Sequence, residues 1–242
     1  MEVTLIPVNE QEVINKIYTA CRTCYSVGTP NDTYYKQVNT AAGNDKKLRL
    51  INHVIKSGHH STLEHVQLTY LISGVSRSFS HQWVRHRLAS ISQQSQRYVE
   101  FKDGVFDYIT PKKIELNKEA LDVFNTAMAA ASTYYSKLIG LGLPAEDARA
   151  VLPNACATNL TWSCNIRELI HVINERSCSC TQLEARTVAN AITKETLKQL
   201  PFLKPYLVPK CEMLGYCNES KERSCGRKYT AEVVFGSLEV YN

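Results

Sequence analysis

Residues 85–97, Arg-His-Arg-Leu-Ala-Ser-Ile-Ser-Gln-Gln-Ser-Gln-Arg, set three arginines, one histidine, three serines and three glutamines in one run, with only Leu88, Ala89 and Ile91 suited to burial. Guanidinium groups stay charged at any relevant pH and offer a planar fork of donors to phosphate oxygens, while Ser and Gln add neutral hydrogen bonds that fix orientation. The run is therefore suited to holding an anion. A solvated connection would have a similar composition, but Trp83 and Val84 lead into this one and Tyr98, Val99 and Phe101 follow it. A loop pinned by apolar residues at both ends can carry a site. Ser95 has no histidine and acid set out in sequence to activate it, so it is read as a binding group rather than a nucleophile.

Three other stretches carry candidate chemistry. Residues 57–65 hold His59, His60, Glu64 and His65 beside Ser61, but His60 and Glu64 are separated by three residues where the inverted zincin pattern needs two. A ligand-binding loop is the better reading there. Arg149 lies on a short segment ended by Pro153, and Arg167, His171 and Asn174 fall at steps of four and three on one face of a helical pattern that ends near Arg176. Nine cysteines is an odd count, which excludes complete internal pairing. Cys178, Cys180, Cys211, Cys217 and Cys225 are spaced by one, thirty, five and seven residues, which fits no standard zinc finger, and no metal is assigned.

The elements that must position these residues follow from periodicity. Residues 3–8 predict a strand, and 10–21 a helix buried through Val13, Ile14 and Ile17. Residues 26–43 lack a sustained period and are expected to be a loop. A helix over 45–56 would bury Leu48, Ile51, Val54 and Ile55. Residues 66–72 alternate as a half-buried strand, and 76–85 predict a helix with Phe79 and Trp83 one turn apart. This strand and helix would deliver the basic loop, residues 85–97, from a fixed frame. Residues 105–109 predict a strand. The long pattern over 116–139 places Leu121, Phe124, Met128, Ala131, Tyr135 and Leu138 on one seam, suited to a core helix or an oligomer interface. Further helices are expected over 165–176 and 182–200, and an irregular tail from Pro201.

The chain has 242 residues with 44% hydrophobic and 21% charged residues, enough for a substantial core. A net charge of +5, spread along the chain, suits small anionic ligands better than a nucleic-acid surface. No stretch has the roughly 20 apolar residues of a membrane span and the N-terminus lacks a signal-peptide pattern, so a cytoplasmic location is expected. With no repeat or linker, residues 1–242 read as one α+β domain, a small mixed or antiparallel sheet packed against several long helices.

The spacing Arg85-His86-Arg87-x2-Ser90-x4-Ser95-x-Arg97 resembles the signature of the flavin-dependent thymidylate synthases, over a core of about residues 9–200; the role of the tail, 201–242, is unknown. The resemblance implies reductive methylation of dUMP to dTMP, with carbon from 5,10-methylenetetrahydrofolate, hydride from FAD reduced by NADPH, and tetrahydrofolate as the other product. It also implies a homotetramer with shared active sites. It places His59, Ser61, Arg85, His86, Arg87, Gln93, Asn165, Ile166, Arg167 and His171 at FAD. At dUMP it places Gln82, Trp83, Val84, Arg85, Gln93, Gln94, Ser95, Gln96, Arg97, Arg149 and Arg176, with Ser95 and Arg97 on the phosphate. Arg176 is the expected catalytic residue, its guanidinium polarising the uracil ring. Gln93 stands where some relatives carry an acid, and His171 where some carry Asn. No cysteine has the Pro-Cys-His context of flavin-free thymidylate synthases. The competing reading is a nucleic-acid module in which residues 85–97 track phosphates beside stacking surfaces on Trp83 and Tyr98. A histidine-based metal site on His59, His60 and His65 is a third.

Overall fold

The computed structural model describes residues 1–38, 43–101 and 105–235. At its centre is a four-stranded sheet in the order β1-β2-β4-β3, with β1 (Glu2–Leu5), β2 (Gln67–Ser76), β3 (Ala89–Gln93) and β4 (Ala157–Asn165). Every pairing is antiparallel. β2 alternates as expected, burying Leu68, Tyr70 and Ile72, and β4 does the same with Thr158, Leu160, Trp162 and Cys164. A bulge lies between Ile72 and Val75, where Gly74 has φ +67° and a Cβ would come within 3.3 Å of the Met1 backbone nitrogen. The Gly74 N–H donates to Asn159 Oδ1 at 3.1 Å, which turns Asn159 toward the end of β3.

Helices cover the apolar face. α1 (Glu10–Thr23) starts at Asn9, whose side chain caps Glu12 N, and α3 (Asn44–Lys56) packs against it. Between them residues 30–38 form a second helix, α2 (Pro30–Val38), where a loop was expected. The missed signal is a cap: Thr29 Oγ1 accepts from Asp32 N at 3.1 Å and donates to Asp32 Oδ2 at 2.8 Å, with Pro30 at the first helical position. Residues 39–42 of that expected loop lie outside the described residues. A 3-10 turn, His60–His65, leads into β2.

α4 (Arg77–Trp83) follows β2 directly, capped by Ser76. α8 (Ile166–Arg176) follows β4 just as directly, capped by Asn165. α9 (Leu183–Gln199) lays Ala185, Val188, Ala189 and Ile192 on the sheet, and its Thr196 hydroxyl bonds the buried Tyr70 hydroxyl at 2.7 Å. Trp83 and Trp162 meet edge to face at 5.2 Å, with Phe79 and Tyr70 flanking them. Truncating such a wholly buried indole costs about 3–5 kcal/mol, so α4 is held rigidly on the sheet.

The expected strand over 105–109 is reduced to an isolated bridge between Tyr108 and Cys156, since the chain there is occupied in covering α6. α5 (Lys112–Glu115) precedes α6 (Lys118–Gly140), whose Met128 joins Phe106 and Cys156 in a smaller cluster while Tyr135 is wholly buried. The seam of α6 is thus largely used within the chain, and Val123 and Tyr134 lie exposed on its other faces. α7 (Ala145–Ala148) runs into a 3-10 turn, Arg149–Val151. The tail is not wholly irregular: it forms a 3-10 turn, Pro201–Leu203, then α10 (Lys210–Leu214) and α11 (Ala231–Phe235). No described helix is long and apolar enough to cross a membrane.

Candidate active site around strand β3

The basic run is not a loop throughout. After α4 the chain reverses, with the His86 N–H donating to Trp83 O at 3.2 Å, and residues 89–93 then join the sheet edge beside β4. Ser76 fixes the start of this unit, its N–H and hydroxyl donating to Glu184 of α9 at 2.7 and 2.6 Å. Gln82, one turn before His86, donates to Gln182 ahead of α9.

At the Ala89 end of β3, His86 is 7% exposed, enclosed by Trp83 and by His171 of α8, whose ring lies 5.9 Å away. Its Nε2 accepts from Arg176 Nε at 2.9 Å, which assigns the ring proton to Nδ1 in the neutral imidazole. Nδ1 faces Glu168 Oε1 at 3.9 Å. Burial pushes His86 down to about 4, the Arg176 and His171 charges adding to the effect and Glu175 opposing it. Burial pushes Glu168 up, against His171 and Arg167. A neutral His86 thereby holds the guanidinium of Arg176 by one nitrogen. Among the described residues no acceptor takes its two terminal nitrogens, which stay available to a ligand.

Arg85 and Arg87 flank His86 and point outward, and among the described residues neither guanidinium has an acidic partner or a hydrogen bond. Val84 is exposed beside them. Arg167, in the first turn of α8, pairs with Glu64 of the 3-10 turn and so brings residues 57–65 to this end of the sheet. His59 and Ser61 are exposed there, although His59 also lines a cavity against α1 and α3. His60 Nε2 is engaged with Ile55 O at 3.0 Å, and His59, His60 and His65 do not converge as a metal site would require.

The other end of β3 is built differently. Gln93 turns inward, its Nε2 donating to Ser80 Oγ at 3.0 Å and Thr158 Oγ1 at 3.2 Å. Gln94 accepts from Asn159 at 2.9 Å, and Gln96 donates to Cys156 Sγ at 3.4 Å. Ser95 Oγ accepts the Arg97 N–H at 3.2 Å. Arg97 pairs with Glu146 of α7 at 2.8 Å and lies over the exposed Tyr98 ring. Arg149 Nε donates to the Glu146 backbone oxygen at 3.0 Å. Arg97 and Arg149 therefore meet at one residue, Glu146, with Ser95 bonded to the Arg97 backbone, and the Glu146 carboxylate sits on a guanidinium suited to a phosphate.

Two of the expected site residues lie inside the core. Trp83 and Ile166 are wholly buried, so neither side chain can face a ligand, and Trp83 cannot be the stacking surface of a nucleic-acid module. Both are frame rather than surface. Gln93 keeps at most its amide oxygen for a ligand. Sequence reading missed Glu146, Asn159, Gln182 and Glu184, which meet their partners only through the fold. Glu168 had a signal, since Asn165-x-x-Glu168 is a helix-start spacing in which Asn165 Oδ1 caps Glu168 N at 2.9 Å.

The profile described as thymidylate synthase complementing protein matches residues 5–202. A flavin-dependent thymidylate synthase of Nitratidesulfovibrio vulgaris is 39% identical over 224 residues, covering 89% of this chain and 91% of that one. Those of Geobacter sulfurreducens and Clostridium tetani are 38% and 36% identical, covering 78% and 87% of this chain and 81% and 88% of theirs. Together with a sheet edge that presents the Arg85–Arg97 motif and an α8 that delivers Arg176 to it, these matches establish that the chain belongs to the flavin-dependent thymidylate synthase family.

Proposed function

We infer that the chain converts dUMP to dTMP by reductive methylation at uracil C5. Methylenetetrahydrofolate gives the carbon and leaves as tetrahydrofolate, and NADPH, with a proton, is consumed through FAD. Beyond family membership, the observation that carries the reading is the hydrogen bond from Arg176 to His86, which ties the arginine of α8 to the basic motif.

The donor set fits the flavin. Arg85 and Arg87 are unpaired among the described residues, and two free guanidinium groups are what a diphosphate requires in a chain without a glycine-rich dinucleotide loop. With His59, Ser61, Asn165, Arg167 and His171 at the same end of the sheet, they would hold the cofactor; Gln93 could add its amide oxygen, and Ile166 supports α8 from below. When bound, the flavin supplies the hydride. The chain's own contribution at dUMP is positioning and charge. Arg176 presents its terminal nitrogens to the uracil imide, favouring its anion and polarising the ring, while His86 fixes the plane of the guanidinium. Gln82, Val84 and Arg85 line the approach. Ser95 and Arg97, with Gln94 and Gln96 beside them and Arg149 facing them, grip the phosphate once Arg97 leaves Glu146.

The uracil group and the phosphate group lie at opposite ends of β3, a strand spanning about 14 Å. That separation favours a homotetramer in which each dUMP is held by two subunits. All nine cysteines are free, which suits the reducing cytoplasm.

The test is the visible spectrum of the protein desalted after incubation with FAD, then treated anaerobically with NADPH, with and without dUMP. Retained flavin bands that bleach, followed by dTMP formation on adding methylenetetrahydrofolate, are expected. A protein that never retains FAD would overturn the reading.

A further inference from the structure

We propose that the C-terminal segment carries a structural zinc site, with Cys178, Cys180 and two of the thiols of Cys211, Cys217 and Cys225 as ligands. Spacing alone gave no finger pattern because the ligands come from two separated segments. The fold brings them together. All five cysteines line one cavity between the end of α8 and the tail. Cys178 Sγ, Cys180 Sγ and a carboxylate oxygen of Glu219 already lie within 4.8 Å of one another, the only such group among the described residues. A tetrahedron of zinc–sulfur bonds of about 2.3 Å sets its sulfurs about 3.8 Å apart, so Cys178 and Cys180 already lie near the spacing of two ligands, and the other two thiols would come from the tail side of the cavity.

A backbone donor and basic side chains surround the cysteines. The Cys180 N–H donates to Cys178 Sγ at 3.5 Å, the kind of backbone bond that steadies a metal-bound sulfur. Cys225 lines the same cavity as the Cys178–Cys180 pair and Ser179 between them. Four thiolates around zinc carry a net double negative charge, and Lys210, Arg223 and Arg227 line the same cavity. Glu219 is already paired with Arg223 at 3.4 Å, and softer sulfur outcompetes it for zinc.

The tail also needs a cross-link. It lies beyond the matched family region, which ends at residue 202. From Lys210 to Val234 only Cys217 and Thr230 are buried, and α10 and α11 have five residues each. Burial of apolar surface cannot hold such a segment, and small units of this kind use a metal or disulfides instead. The zinc would clamp the tail to α8 two residues beyond Arg176. The proposal stands independently of the reaction assigned above.

The test uses the full chain, purified without chelator under reducing conditions. Elemental analysis should find about one zinc per chain. Cys178→Ser with Cys180→Ser should abolish it, and Cys24→Ser, at an exposed cysteine outside the cavity, should leave it. Should the double variant fail to fold, cobalt exchanged into the unaltered protein decides: thiolate-to-cobalt charge transfer and intense tetrahedral visible bands are expected. A protein free of zinc, whose cobalt spectrum lacks thiolate bands, overturns the site. So does a disulfide among these cysteines in the freshly isolated protein, or iron with labile sulfide.

Discussion

The two ends of β3 hold arginines in opposite ways. At the Ala89 end Arg176 is bound to a neutral, nearly buried histidine that cannot compete for its charge. At the Gln93 end Arg97 is bound to a carboxylate, and both side chains are about half exposed, 50% and 46%. The first arrangement fixes a guanidinium without neutralising it, which is what polarising a ring requires. The second shields a guanidinium with an exchangeable anion, which suits a phosphate that must enter and leave. One strand thus separates a preorganised group from a displaceable one.

The sharpest way to break this contrast is Arg176→Lys. Lysine keeps the charge but has neither the Nε donor for His86 nor a planar fork for an imide. We expect kcat to fall by about 100- to 1,000-fold, as for loss of one preorganised donor, with FAD retained; turnover within tenfold of the unaltered enzyme would show that charge alone suffices there. Arg97→Ala, by contrast, should act on dUMP affinity, raising KM by roughly 10- to 100-fold through loss of a charged hydrogen bond. If the two ends serve one nucleotide across a subunit boundary, co-expressed Arg176→Ala and Arg97→Ala chains should regain activity at about a quarter of their sites. No regain would place both arginines at one site in one chain.

His86 gives a pH signature to the buried end alone. Unfolded, it takes up a proton near 6.5, and in the fold only near about 4. Between these values the unfolded chain binds more protons, so the stabilisation is complete above pH 6.5 and is lost as pH falls toward 4, by up to about 3 kcal/mol. Glu168, pushed up by burial, acts in the opposite sense at acid pH. The comparison is therefore between the protein and His86→Gln. Urea unfolding at pH 7 and pH 5 should show a larger acid loss for the unaltered protein, and equal losses would remove His86 from the account. A protonated His86 also cannot accept from Arg176, so kcat should fall over the same acid limb.

How much of this was legible depended on where each signal resides. The helices buried by a 3.6-residue period, α1, α3, α8 and α9, could be read directly, and so could β2. β4 carried the same alternation, Thr158, Leu160, Trp162 and Cys164 against Asn159, Thr161 and Ser163, and its pattern went unread. β3 had little to read: Ala-Ser-Ile-Ser-Gln is a polar edge strand made regular by β4, and its composition is that of a loop. The arginines stood out because charge and motif spacing are local. Their pairings did not, since Glu146 lies 49 residues from Arg97 and Arg176 lies 90 from His86. The five cysteines, two after α8 and three in the tail, were visible as residues, but their convergence depends on the tail folding back on α8.

The smallest effect tests the displaceable end. An exposed ion pair such as Arg97–Glu146 contributes under about 1 kcal/mol, because water screens it and two long side chains must be ordered to form it. Glu146→Gln should therefore leave stability nearly unchanged. It keeps the backbone oxygen that accepts from Arg149 and removes only the charge competing for Arg97. If that carboxylate stands in for the phosphate, dUMP should bind more tightly, by a factor of up to about five, the equivalent of the lost pair. The gain should shrink with added salt as free anions come to occupy Arg97 in both proteins. Weaker binding in Glu146→Gln would mean that Glu146 orients Arg97 for the nucleotide, as His86 orients Arg176, and the two ends of β3 would then be alike.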